Sequence, residues 1–478
     1  MRSPPPVPAE LPEKRTRAVR SGTALLTLSV PLELVTPMIG GATVAREIDT
    51  VDVIRVPSVR GALRFWWRAL HGYRYKSPQA LAAAERALWG GPGLGPDAPD
   101  GRSAVEITVT VTREGEIDRS DVLPYSSRGR PETPGAYALW AARATAGGSD
   151  KAPQKPAHRR LPGTRFDLTL RVAEDRRAEV VNSLRAWILF GGYGARTRRG
   201  VGSLTVADPT AREQWLPARP TREAFTSLFG FDLFDPDATV PVPSDLPLLA
   251  GAALLVGNPE RNAQTAWLTA LHWLRDFRQG QPNGGALGTH DPGYPRDRGD
   301  SRRPGRSNWP EADKVRRLSG NRRWAHPPRH NRTPAWPRAG LGLPIIGQFQ
   351  KRDRRNTPYP EPEPRPFRLH WRRPEDRKDQ ERLASPLIVK ALPLADGTFV
   401  PAALWLNRAY PDGHVVLSSD DPRSDGSAAP FDLLVAPGDT ALFSCLNVPP
   451  GVPRGQRLRT AFLSWLKGKE SRIVEVAP

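Results

Sequence analysis

The 478-residue chain has one cysteine, Cys445, and two methionines. A lone thiol cannot build a disulfide framework or a zinc ribbon, and it fits a reducing, cytoplasmic compartment. No stretch approaches the roughly 18 consecutive apolar residues that span a bilayer, so no membrane partner is expected. Residues 1–21 hold Pro4, Pro5, Pro6, Pro8 and Pro12 and no apolar segment, and they read as a disordered basic tail. Residues 23–35 alternate apolar side chains with Thr, Ser and Glu, unlike a secretory signal. His-x-His pairs and carboxylate clusters are missing too, and Asp49 and Asp52 stand isolated, so neither a metal nor a cofactor is expected.

Lysine is also scarce. There are ten, so sixty of the 70 cationic residues are arginines, set against 50 acidic residues for a net charge of +20. A GC-rich genome would favour arginine over lysine, but it would not produce a net charge. Guanidinium forks match phosphate oxygens and stack on bases, which directs the excess toward nucleic acid. Proline (53) and glycine (42) together make a fifth of the chain, too little for wholesale disorder and enough for long loops between cores. The length accommodates two or three domains.

Apolar periodicity predicts a strand at 24–30 and a turn at Thr36-Pro37-Met38-Ile39-Gly40-Gly41. A helix follows at 58–71, capped by Ser58 and ended by Gly72, then a second helix at 79–88. Strands at 105–112 and 165–172, a helix at 178–190 and a strand at 203–206 complete a strand-helix-strand-strand-helix-strand order, which is ferredoxin-like or RRM-like. Beyond it come a strand at 252–256 and a helix capped by Asn258, with Pro259 first and Trp267, Leu271, Leu274 and Phe277 on its core face. Strand-like runs recur at 343–349, 387–392, 403–406 and 415–417, and an amphipathic helix at 458–466 finishes the chain. The expected fold is α+β: two ferredoxin-like (RRM-like) domains, 22–210 and 211–478, with long loop insertions. In the insertion at about 280–340, residues 296–338 carry thirteen Lys/Arg against four acids. Such a segment is expected to bury no core and to be mobile, as is the charged stretch 351–382. His158, His326 and His330 are expected to be solvated.

Two motifs carry chemistry. On the helix at 58–71, Arg60, Arg64, Arg68 and His71 fall within an arc of roughly 80°, with Ala62, Leu63, Trp66, Trp67, Ala69 and Leu70 opposite and Phe65 at the border. An ordinary surface helix shows the same pattern, but here no Asp or Glu lies between Val53 and Ala84. Uncompensated like charges repel, and a polyanion would relieve them. The second motif, residues 191–203, packs five glycines and three arginines into thirteen positions. It lacks the Lys-Ser/Thr of a P-loop, and it joins helix to strand, the reverse of a Rossmann loop. What remains is either a solvated glycine hairpin or a backbone pliant enough to approach a phosphate chain. Residues 199–204 hint at the RRM signature, but Val201 and Leu204 replace its stacking aromatics, favouring a grip on the backbone.

The turn at 36–41, then Val56-Pro57-Ser58-Val59-Arg60-Gly61-Ala62-Leu63-Arg64-Phe65-Trp66-Trp67-Arg68, then the loop at 191–204, together resemble the RAMP superfamily, in particular the RAMP subunits of the Cmr complex, the RNA-guided effector of type III-B CRISPR systems. Trp309-Pro310-Glu311-Ala312-Asp313 before Arg316-Arg317, Leu341-Gly342-Leu343-Pro344-Ile345-Ile346 and Ala384-Ser385-Pro386-Leu387-Ile388 extend the resemblance into the distal half. It implies a noncatalytic RNA-binding subunit of a ribonucleoprotein in antiviral defence, capping the 3′ end of the guide RNA. The implied partners are guide RNA, target RNA and other RAMP subunits of the Cmr complex. The implied RNA contacts are Gly40, Gly41, Arg60, Arg64, Arg68, Gly194, Arg196, Arg198, Arg199, Gly200, Arg316 and Arg317. The rival expectation is a RAMP endoribonuclease that processes guide RNA with His71 as general base, although a histidine at a helix end also serves as a dipole partner.

Overall fold

The computed structural model describes residues 25–477 except 43, 45, 94–100, 125–131, 148–151, 239–244, 281–308, 321–329, 350–362, 375–378, 381 and 442. The expected tail at 1–21 lies outside the described residues, as do 281–308 and 321–329 of the expected insertion.

Four strands, β1 (Leu25–Leu34), β2 (Glu106–Arg113), β3 (Arg165–Ala173) and β4 (Leu204–Val206), pair antiparallel in the order β2-β3-β1-β4. Leu28, Val30, Leu32 and Leu34 of β1 point inward and alternate with more open positions. The register sets Val30 against Leu168 and Leu32 against Phe166, so apolar pairs meet on one face. Helices α1 (Val56–His71), α2 (Pro78–Trp89) and α3 (Arg177–Phe190) lie in the connections, with α1 and α3 against that face.

The plan then repeats. Strands β5 (Leu248–Val256), β6 (Leu387–Pro393), β7 (Phe399–Asn407) and β8 (Val474–Ala477) pair antiparallel as β6-β7-β5-β8. Helix α4 (Ala263–Gln279) follows the first of them, α5 (Pro310–Leu318) lies in the long connection to β6, and α6 (Arg457–Lys469) precedes the last. In both sheets the second strand neighbours the third, the third the first, and the first the fourth. The mixed helix and strand architecture with several antiparallel sheets is α+β.

The two sheets share one helix layer. Leu32 and Phe166 of the first sheet, Trp67 and Trp187 of α1 and α3, and Leu254, Ile388 and Leu404 of the second sheet form a single core. The opposite face of the second sheet, with Leu255, Val389 and Trp405, packs on Trp267 and Phe277 of α4 and Phe462 of α6. Every residue of β6 is therefore buried, whereas β1 alternates. A sheet covered on both sides needs a continuous apolar run; one with an open face does not.

Several expectations need correction. Helix α1 begins at Val56, with Arg55 as N-cap and Pro57 in the first turn, so Ser58 is an exposed first-turn residue and not the cap. Asn262, not Asn258, caps α4, its side chain accepting from the Gln264 N–H at 2.7 Å. The chain ends in β8 rather than in the terminal helix. The charged connection departs most. Phe367–Arg372, inside the stretch read as unstructured, is a strand paired with His414–Ser419 and Ile345–Gly347 in a further small sheet. Helix α5 packs on this sheet, Val315 and Leu318 joining Leu369, Trp371 and Phe431.

Helix α5 also turns its charges inward. Arg316 is 1% exposed and grips Glu363 with two bonds of 3.0 and 2.9 Å. Lys314 donates to Asp439 and, at 2.9 Å, to Asn331. Asp439 also accepts from the Asn331 N–H at 2.8 Å and lies 3.1 Å from Nδ1 of His330, which is buried and not solvated. Removing Asp439 takes from Lys314 and His330 their nearest acceptor and leaves Asp313 as the remaining acid beside them. Asp439→Ala is expected to lose about 3–5 kcal/mol in urea denaturation; a loss under about 1 kcal/mol would show that the network does not hold this segment.

Candidate nucleic-acid interface

The turn at 36–41 and the loop at 191–203 are stitched together by backbone. The Ala195 N–H donates to Ile39 O, the Gly202 N–H to Pro37 O and the Tyr193 N–H to Gly202 O, each at 2.8 Å. Thr36 Oγ1 donates to Gly200 O at 2.7 Å and accepts from the Ser203 N–H at 2.8 Å. At Gly194 (φ +90°) a Cβ would stand 2.7 Å from Ile39 O, and at Gly200 (φ +73°) it would stand 2.8 Å from Val389 O. Both positions combine a left-handed backbone with a close approach, which only glycine tolerates. Much of the glycine content thus serves contact with protein backbone. Val201 is wholly buried in the core on the far face of the second sheet, and Trp267 Nε1 donates to Arg199 O at 2.7 Å. From β6, Lys390 Nζ donates to Ile188 O and Gly191 O, both at 2.9 Å, at the C-terminal end of α3. Burial pulls this ammonium down to about 7.

The start of α1 is fixed to the same loop, because Tyr193 Oη accepts from the Arg55 N–H at 2.8 Å. Between α1, the turn and the loop lies an open groove of about 500 Å³, edged by Gly40, Gly41, Ser58, Phe65, Gly194 and Arg198. No carboxylate is among its described lining residues. The first turn of α1 adds the positive end of a sixteen-residue helix.

The groove uses an unexpected face of α1. Ser58, Ala62 and Phe65, at i, i+4 and i+7, meet the loop. The arginine stripe faces α2 instead: Arg64 Nε and Arg68 Nη1 each lie 2.5 Å from Glu85 Oε1, and Arg60 donates to Trp89 O at 3.3 Å. The acidic partner stands one residue beyond the acid-free window, so two of the three arginines are held by one carboxylate and the stripe turns toward α2 rather than the loop. His71 is not on the stripe's surface either. It is 4% exposed, packed between Trp67 and Phe231, and neither ring nitrogen has a hydrogen-bond partner. Burial, with Arg74 adding to it, holds this imidazole down at about 4, so it is a neutral core residue.

The loop arginines diverge. Arg198 donates to Ser385 O and sits 5.5 Å above the Phe65 ring. Burial, then the neighbouring Arg408, lowers its pKa to about 10. Arg199 turns the other way, 5.7 Å over Tyr137. Arg196, itself in the left-handed region at φ +62°, feels Arg278 along with Arg199. Arg316 is buried and paired with Glu363, away from the groove lining, and Arg317 donates to His330 O at 2.8 Å. Sequence reasoning missed Ser58, Phe65, Tyr193 and Thr197, although a Ser-Ala-Phe spacing on one face was there to be read. No metal-ligating cluster occurs among the described residues.

The turn, α1, α3 and the glycine-arginine loop all fall inside residues 31–205, which match the model of the RAMP superfamily. The likeness to that superfamily is confined to this stretch. Over 155 residues, 32% of its length, the chain is 28% identical to the CRISPR system Cmr subunit Cmr1-1 of Pyrococcus furiosus, and the match spans 40% of that relative's length. Among solved structures, apo Cmr1 from Pyrococcus furiosus aligns with 95% of this chain and 99% of its own at 14% identity and a TM-score of 0.42. A chain of the type III-B Cmr-beta complex bound to cognate target RNA and AMPPnP aligns with 94% of this chain and all of its own, at 10% identity and a TM-score of 0.43. Among the described lining residues of the groove, all but Ile388 precede β4.

The buried imidazole has a measurable signature. Between pH 6.5 and about 4 the unfolded chain takes up a proton that folded His71 refuses, so stability falls with acidification through that window by up to about 3 kcal/mol. In melts across that window His71→Phe should flatten the slope; an unchanged slope would show that the imidazole is solvated.

Proposed function

We propose that the chain is a noncatalytic RNA-binding subunit of a type III-B CRISPR effector, the Cmr complex, acting in the cytoplasm in antiviral defence. In this reading it caps the 3′ end of the guide RNA and touches guide and target strands beside other RAMP subunits. Its two repeated sheets are read as two ferredoxin-like domains, 22–210 and 211–478, the second carrying the insertion at about 280–340. The observation that carries the proposal is the groove: a carboxylate-free cleft with exposed glycine backbone, a helix N-terminus and one guanidinium over an aromatic ring. Gly40, Gly41 and Gly194 let a sugar-phosphate chain come close, Arg198 supplies a charged donor, and Phe65 offers a flat face to a base. Arg196, Arg199 and Gly200 shape the loop's far flank, while Arg60, Arg64 and Arg68 contribute to the field but not direct forks. The similarity to the Cmr1-1 subunit supports the same assignment.

The rival endoribonuclease depended on His71, and the burial of that ring removes its proposed base. Filter binding of single-stranded RNA across a salt series tests the reading. Arg198→Gln should weaken binding about 10–100-fold and lower the salt slope by about 0.7. Gly194→Val, which pushes a side chain at Ile39, should weaken it as well. Equal affinity for wild type and both variants would overturn the proposal, and so would cleavage of guide-repeat RNA by the purified chain.

A further inference from the structure

We infer that the strand leaving Arg198 continues into a second phosphate subsite formed by Arg408 and Arg454. The inference rests on the RNA-binding reading of the groove and extends its path. A second open cavity, of about 530 Å³, lies where β7 ends and the turn before α6 begins, lined among others by Asn407, Arg408, Tyr410, Phe431 and Arg454. Arg408 donates through Nη1 to Ala384 O at 2.9 Å, while its Nε and Nη2 are buried with no hydrogen-bond partner among the described residues. A guanidinium stays charged, and desolvated donors left unmade are costly, so this fork is set for an acceptor that the described residues do not provide.

The link to the groove is one peptide unit. Arg198 donates to Ser385 O and Arg408 to Ala384 O, so the two guanidiniums hang from consecutive carbonyls, one lining each cavity. Burial first and Arg408 second lower the pKa of Arg198, so the two cations are close enough to act on one another. Asp412 lines the second cavity and Asp245 lies near enough to act on Arg408, but neither bonds its free nitrogens. Exposed Arg454 adds a cation at the mouth. Tyr410, stacked on Phe431 at 5.4 Å and 4°, gives the wall an aromatic surface like that of Phe65 in the groove. Cations beside aromatic faces, repeated in two cavities joined by one peptide unit, are the chemistry of a single-stranded RNA track.

Two labelled single-stranded RNAs, of about 4 and about 16 nucleotides, separate the subsites. Arg408→Gln and Arg454→Gln should leave the short RNA's affinity intact, weaken the long RNA about tenfold each and lower its salt slope by about 0.7. Because Arg454 is exposed, its variant gives a readable answer even if Arg408→Gln lowers the melting temperature. Unchanged long-RNA binding in both variants, with Arg198→Gln still weakening both lengths, overturns the second subsite and leaves the groove standing. If Arg198→Gln is also without effect, the groove reading falls and takes the subsite with it. Loss of subunit assembly with RNA binding intact would overturn the subsite and assign the patch to a protein contact.

Discussion

The loop at 191–203 belongs to two cores at once, and this constraint orders the rest of the structure. Its N-terminal glycines lie against α1 and α3, its middle is bonded to the turn at 36–41, and Val201 is sunk among the side chains of α4 and β6. Lys390 reaches from the second sheet to the carbonyls that α3 leaves unsatisfied at its end, which is where a helix favours positive charge. Such an arrangement tolerates little variation. A side chain at Gly200 collides with a tryptophan and a strand backbone, and the same residue's carbonyl is already committed to Thr36.

Repetition of one strand order in both halves has different consequences in each. The first sheet keeps a polar outer face, while the second is buried between two helix layers, which accounts for the mostly apolar, almost wholly buried runs of β5, β6 and β7, with Lys390 the charged exception in β6. The shared helix layer means that α1 and α3 pack in two directions. The tryptophans at 66, 67 and 187 supply bulk for both, leaving only a narrow strip of α1 free to border the groove.

What could be read from sequence follows from how far each signal reaches along the chain. Alternation in β1 and β3 and the apolar stripes of α3 and α4 are local, and they appear close to where they were expected. The acids that neutralise α5 are not local: Glu363 lies 47 residues from Arg316, and Asp439 lies 125 from Lys314. A charge count over 296–338 could not see them, so a buried helix looked like a solvated insertion. The arginine stripe failed for the same reason at shorter range, since Glu85 sits just past the window in which an acid was sought. The glycine-arginine loop and the turn at 36–41 were recognisable because positive-φ positions require glycine. The groove face of α1 was overlooked, because sorting residues into charged and apolar sides assigned Ala62 to the core, left Phe65 at the border and used Ser58 as a cap.

The double anchorage of the loop also bears on energetics. A recognition loop that is loose before its ligand arrives must surrender conformational entropy on binding, and that loss is subtracted from every contact it makes. Here the ordering is complete when the polypeptide collapses, because the residues that fix the loop's shape are the same ones that close both hydrophobic interiors. The cleft is therefore rigid in advance, and its width is a property of the folded monomer rather than a response to what enters it.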